Sequence, residues 1–94
     1  MKTRDIKIIR DRLFARLHEV SGKRVSYHHR VSTHIGKGRQ TLIGFLDEIN
    51  SSEGFKEDGL TLVPGEVPWK PNVEVLLGAI YDDYLSRGWR LVYA

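Results

Sequence analysis

Lysine and arginine, the side-chain types that can bind phosphate groups, are concentrated in the first 39 residues of this 94-residue chain. That segment holds eleven of the fifteen lysines and arginines and only three acidic residues, which gives it a net charge of +8. Residues 40–94 hold four basic and nine acidic residues, a net charge of −5. Positive charge gathered in one half of a chain creates a field that attracts polyanions.

This charge pattern predicts that the basic half binds the phosphate backbone of a nucleic acid. Arg30, Lys37 and Arg39 surround the turn signal Gly36-Lys37-Gly38, where glycines allow a loop to approach a backbone closely. The competing interpretation is a solvated surface, or pairing of these cations with the acidic half. The residues predicted to contact nucleic acid are Arg12, Arg16, Lys23, Arg24, His28, Arg30, His34, Lys37 and Arg39.

Neither a metal site nor a catalytic site is predicted. His28 and His34 lie six positions apart and the chain has no cysteine, so zinc would lack its three or four convergent ligands. The Gly36-Lys37-Gly38 turn lacks the spacing and the following hydroxyl of a nucleotide-binding loop. No serine lies in a nucleophile motif. We therefore expect no enzymatic activity, no cofactor and no small-molecule substrate.

Trp69 is the aromatic residue best placed to bind a partner. It lies in the proline-rich segment 66–71, EVPWKP. Tryptophan is enriched at binding hot spots and stacks on nucleic-acid bases. The alternative is a lid folded over the edge of a sheet, because a small chain needs its large aromatic residues for burial. Trp89 follows a helix-ending glycine and is expected in the core.

Two amphipathic helices and several strands would position these residues. Apolar residues at helical spacing predict a helix over 3–20, with Thr3 as its N-cap and Gly22 as its C-cap. A second helix is predicted over 72–86 from the same kind of spacing. The two apolar stripes consist of Ile6, Ile9, Leu13, Leu17 and Val20, and of Val73, Leu76, Leu77, Ile80, Tyr81 and Tyr84.

The predicted strands lie between and after these helices. Residues 24–35, RVSYHHRVSTHI, are rich in β-branched residues and contain neither glycine nor proline. Residues 39–45 would form the return strand of a hairpin, although Leu42, Phe45, Leu46 and Ile49 also fit a helix over 40–50. Short strands at 60–63 and 89–94 complete the order α-β-β-β-α-β. The expected fold is an α+β domain with a small antiparallel sheet and two helices on one face.

Two short segments resemble pieces of the histone-like DNA-bending proteins. These are TLIGF at 41–45 and VPWKP at 67–71, in the same order as in that family and leading into a C-terminal helix. Residues 1–40 do not follow the family pattern, and residues 46–59 contain no proline of the kind its DNA-binding arm inserts. The resemblance therefore assigns no residue a role.

Length and composition limit the remaining possibilities. A chain of 94 residues with 40% hydrophobic residues is a single domain, 1–94, with one core. No apolar run reaches the roughly 18 residues of a membrane span, and the lack of cysteine suits the cytoplasm. We expect a non-enzymatic accessory protein that binds nucleic acid or a nucleoprotein. The alternative is an interaction module, an inhibitor or assembly factor, that docks on an acidic protein surface.

Overall fold

The computed structural model describes residues 2–93, and it is mostly helical. The predicted antiparallel sheet with two helices on one face is therefore wrong. Within these residues there are five α-helices and one sheet of two parallel strands. None of the helices is long and apolar enough to cross a bilayer. The elements are β1 (Thr3–Asp5), α1 (Ile6–Ser21), α2 (Val31–Ile35), α3 (Arg39–Ser51), α4 (Phe55–Asp58), α5 (Val73–Ser86) and β2 (Arg90–Val92), with a 3₁₀ turn at Pro64–Glu66.

Helix α1 is formed by the predicted apolar stripe. Ile9, Leu13 and Leu17 are completely buried, whereas Val20 at the end of the stripe is exposed. The predicted C-cap is confirmed, since Gly22 is left-handed and its N–H donates to the carbonyl of His18. The predicted N-cap Thr3 is wrong because Thr3–Asp5 forms a strand. The cap is Asp5, whose carboxylate accepts from the N–H of Lys7 at 2.8 Å.

The predicted strand over 24–35 is wrong. Its backbone is irregular up to Arg30 and then turns into α2, so that Val31 and His34, three positions apart, are buried together. The end of this segment does pair with a distant part of the backbone, because the N–H of Val73 donates to the carbonyl of His29 at 2.9 Å. Packing against α1 and the start of α5 has therefore overridden the local preference for a strand.

The segment after Gly38 forms α3, so the return strand is wrong and the helical alternative is correct. Phe45, Leu46 and Ile49 are buried on one face of this helix. Gly36 and Gly38 have φ of 96° and 110° with extended ψ, a conformation that only glycine adopts readily. The turn signal is thus correct, but it joins two helices.

Residues 60–63 are extended without a strand partner, contrary to the predicted strand. Leu60 and Leu62 are buried and their neighbours exposed, which is the alternation of a strand. Side chains replace the missing strand: Asn50 donates to the carbonyl of Leu62 and accepts from its N–H, at 2.8 and 2.9 Å. The buried carboxylate of Asp83 accepts from the N–H of Thr61 at 3.1 Å.

The second helix and the C-terminal strand are confirmed. Helix α5 begins after its N-cap Asn72 and buries five residues of the predicted stripe, among them Leu77 and Tyr84. Strand β2 pairs in parallel with β1, Thr3 opposite Arg90 and Asp5 opposite Val92. The strand at the end of the chain thus pairs with a segment that the sequence had placed in a helix.

A buried carboxylate at the end of α4 connects β1 with helices α1 and α5. Asp58, with 5% of its side chain exposed, accepts from Arg4 Nη2 at 2.7 Å, Arg12 Nη1 at 2.8 Å and the Tyr84 hydroxyl at 2.7 Å. Burial alone would raise the pKa of Asp58, but these hydrogen bonds lower it below its usual value. The pKa of Tyr84 is raised, by burial and by its bond to this carboxylate.

The arginine on α1 reaches Asp58 because Gly54 leaves room for it. A Cβ at Gly54 would lie 2.5 Å from Arg12 Nε, and Gly54 has φ of 89°. The guanidinium of Arg12 also lies 5.7 Å from the ring centroid of Phe55, at the start of α4. Two cations of the basic half are therefore paired with one acid of the other half.

Candidate functional site: a basic groove beside Trp69

A groove lies between α2, the turn before α3 and the segment that leads into α5. Its volume is about 430 Å³. Two backbone contacts bring the distant segments together: the N–H of Val31 donates to the carbonyl of Pro71 at 3.1 Å, and Arg30 pairs with Asn72 as an isolated β-bridge. The groove is lined by Arg30, Val31, Ser32, Ile35, Gly36, Lys37, Gly38, Arg39, Leu42, Trp69, Lys70 and Pro71.

Four cations line the groove and no acidic residue does. They are Arg30, Lys37, Arg39 and Lys70, and all four are exposed. Within residues 2–93 none of them forms an ion pair, in contrast to Arg4, Arg12 and Arg16. A concave surface lined by positive charges focuses the electrostatic field and attracts anions.

Trp69 forms one wall of the groove. Its side chain is 53% exposed and does not belong to the core, so the alternative of a core lid is wrong. The guanidinium of Arg39 lies 5.6 Å from its ring centroid, which is within the range of a cation–π contact. Trp89, by contrast, packs against the core as predicted and donates its Nε1–H to the carbonyl of Asp58 at 3.1 Å.

The backbone beside Trp69 is strained. Lys70 has φ of 59°, the only positive value at a residue other than glycine within residues 2–93. A left-handed conformation costs a residue with a Cβ about 1–2 kcal/mol. Arg30 Nη1 donates to the carbonyl of Lys70 at 2.7 Å and so helps to hold this conformation. Strain of this kind persists only where the surrounding structure holds the residue in place.

The structure brings together some of the residues predicted to bind nucleic acid and separates others. Arg30, Lys37 and Arg39 meet in the groove, together with Trp69. Arg12 is bound to Asp58, and Arg16 contacts Glu19 at 2.6 Å and Glu48 at 3.9 Å. Lys23, Arg24 and His28 are exposed outside the groove, and His34 is 4% exposed.

Lys70 is a cation of the site that was not predicted from the sequence. Lys70 belongs to the acidic half, and its place depends on the pairing of Val31 with Pro71, 40 positions apart. Its position directly after Trp69 is the one local signal that could have identified it.

A chain of hydrogen bonds under the groove fastens α2 to the end of α1. The Ser21 hydroxyl donates to the carbonyl of Leu17 and accepts from the N–H of Lys23, both at 3.0 Å. It must therefore accept from His34 Nδ1, 2.8 Å away, which leaves His34 Nε2 to accept from His29 Nδ1 at 3.1 Å. In this arrangement the proton of Ser21 is bound by a backbone carbonyl. Within the described residues no three histidine or acidic side chains converge as a metal site.

The buried His34 in this network predicts that the free energy of unfolding falls as the pH drops below 6.5, the ordinary pKa of histidine. Burial lowers the pKa of His34, and His29, Lys23 and His18 lower it further. The unfolded chain therefore takes up the proton first, and stability is lost from that value down to the lower pKa of the folded state. Urea unfolding at pH 7.5 and at pH 5.5 should show this loss.

The control for this prediction is a second histidine. His34→Gln should flatten the dependence on pH, because glutamine does not titrate. His28→Gln, at an exposed position, should leave it unchanged. An equal dependence in wild type and His34→Gln would assign the effect to other groups.

No protein-family model, no curated protein and no solved structure matches the chain. What the groove binds must therefore be inferred from its own residues.

Proposed function

We propose that this protein binds nucleic acid through the basic groove, without catalysing a reaction. The observation that carries the proposal is the convergence of four cations on one concave surface: none of them forms an ion pair within residues 2–93, and no acid is among the residues that line the groove. Phosphate contacts from lysine and arginine supply most of the affinity in sequence-independent binding of nucleic acids. The remaining cations of the basic half, such as Lys23 and Arg24, would add to the attraction at longer range.

The start of α3 is compatible with this function. Its N-cap is Gly38, which has no side chain to cap the helix, and no acidic residue lies in its first turn. The positive end of the helix therefore adds to the field of Lys37 and Arg39 beside it. This contribution is small compared with that of the four full charges.

Binding should weaken steeply with salt, because each neutralised phosphate releases a counterion. The double substitution Lys37→Gln with Arg39→Gln should weaken binding of a labelled duplex. It should also reduce the slope of log K against log salt by about two, about one for each lost phosphate contact. Fluorescence anisotropy between about 50 and 200 mM salt measures both effects.

The control is a second pair of exposed cations, whose substitution removes the same amount of charge. Lys7 on α1 and Lys56 on α4 lie outside the groove, and the double Gln variant should keep nearly the wild-type slope. Equal losses in the two double variants would mean that net charge alone acts. No binding of any nucleic acid at low salt would remove the proposal.

The same surface favours a second candidate, an acidic protein partner. Trp69 is half-exposed on a segment that contains two prolines, and a rigid aromatic side chain is a common anchor of protein interfaces. Cations around such an anchor would mainly raise the rate of association with an acidic surface. This candidate takes precedence if nucleic acid fails to bind.

A further inference from the structure

We infer that the groove takes a single strand, with one base stacked on Trp69 and the adjoining phosphates bound by the surrounding cations. The inference rests on the proposed function and specifies its ligand. A surface that binds phosphates alone needs no apolar area. Here the groove is also lined by the partly buried side chains of Ile35 and Leu42 and by an exposed tryptophan.

The composition of the groove distinguishes a single strand from a duplex. A duplex presents phosphates and groove edges, while the faces of its bases are stacked inside. A single strand exposes base faces next to its phosphates, and aromatic side chains bind these faces without regard to sequence. The volume of about 430 Å³ lies within the range of cavities that hold ligands larger than a single base.

The backbone at Trp69 is restrained before any ligand binds. Lys70 is held in its left-handed conformation by Arg30, and Pro68 and Pro71 restrict the backbone on either side. A preorganised ring loses little conformational entropy when a base stacks on it. Arg39, 5.6 Å from the ring centroid, is close enough to bind the phosphate of the stacked nucleotide or to stack on its base.

The test combines affinity with tryptophan fluorescence. Oligo(dT), oligo(rU) and a duplex of equal length are titrated into the full chain. Either single strand should quench the fluorescence and bind more tightly than the duplex. Trp69→Ala should weaken single-strand binding about 5- to 150-fold, the range for loss of one stacked base. Trp69→Phe should keep most of the affinity but lose the quenching, because Trp89 lies away from the groove.

The control is Leu85→Ala. Leu85 is 54% exposed, close to the 53% of Trp69, but lies outside the groove, so this variant should bind as wild type does. Urea unfolding verifies that each variant is folded, and if Trp69→Ala is not, Trp69→Gln replaces it.

The outcomes separate this inference from the proposed function. Quenching by either single strand, with loss of affinity in Trp69→Ala, supports the inference, and the dT and rU arms show which sugar is accepted. Equal binding of duplex and single strands that does not depend on Trp69 overturns the inference but leaves the proposed function intact. No binding of any nucleic acid overturns both. Quenching by polyglutamate alone also overturns both and assigns the groove to an acidic protein.

Discussion

Replacing Asp58 with asparagine is expected to lower the free energy of unfolding by about 3–5 kcal/mol. The carboxylate accepts hydrogen bonds from Arg4, Arg12 and Tyr84, and asparagine would leave two partly buried guanidinium groups without a negative partner. Because small domains are stable by only about 5–15 kcal/mol, the variant should be close to unfolding. Urea unfolding followed by tryptophan fluorescence measures the loss.

The matched control is Asp11→Asn. Asp11 also pairs with an arginine, Arg10 at 3.1 Å, but its side chain is 68% exposed, so the loss should be below about 1 kcal/mol. The effect of Asp58 should also depend on pH. The pKa of Asp58 is lower in the folded state than its ordinary 3.8, so its contribution is complete well above 3.8 and is lost as the pH falls below that value. A loss under about 1 kcal/mol in Asp58→Asn would show that the three donors are satisfied elsewhere.

Replacing Leu13 with alanine is expected to cost about 2–5 kcal/mol, through lost burial and the cavity that remains. Leu13 is 0% exposed at the centre of the α1 stripe. Val20→Ala on the same helix is the control, since Val20 is 46% exposed and should change stability by less than about 0.5 kcal/mol. Urea unfolding of both variants gives the comparison. Equal losses would mean that α1 buries a different face.

Local sequence predicted the elements whose signal extends over several turns. Helices α1 and α5 each repeat an apolar position over about four turns, and tertiary contacts then act in the same direction as local preference. Helix α3 was ambiguous because four apolar residues over two turns fit both a strand and a helix. Its glycine-flanked start is compatible with either.

The errors arose where distant side chains decide the structure. Residues 60–63 alternate like a strand, yet the groups that satisfy their backbone belong to the side chains of Asn50 and Asp83. No local pattern reveals such partners. In 24–35, the preference for β structure depends on the packing context, and here Val31 joins the core as part of a helical turn.

Only the part of the candidate site that is built from residues close in sequence could be predicted. Arg30, Lys37 and Arg39 are close in sequence, so their clustering follows from any turn at Gly36–Gly38. The arrival of Trp69 and Lys70 depends on the contact of Val31 with Pro71, which sequence periodicity does not encode. The ion pair that keeps Arg12 out of the site also depends on a distant acid, Asp58, whereas Arg16 pairs with Glu19 three positions along α1.

The parallel pairing of β1 with β2 has a consequence for the order of folding. Thr3 and Arg90 lie at opposite ends of the chain, so their contact closes a loop of nearly the whole sequence. The entropy of closing a loop grows only with the logarithm of its length, which makes this pairing inexpensive at equilibrium. The search for it is slow, however, compared with helix formation, which takes about a microsecond or less. The helices should therefore assemble first, and the two strands that join the ends of the chain should pair afterwards.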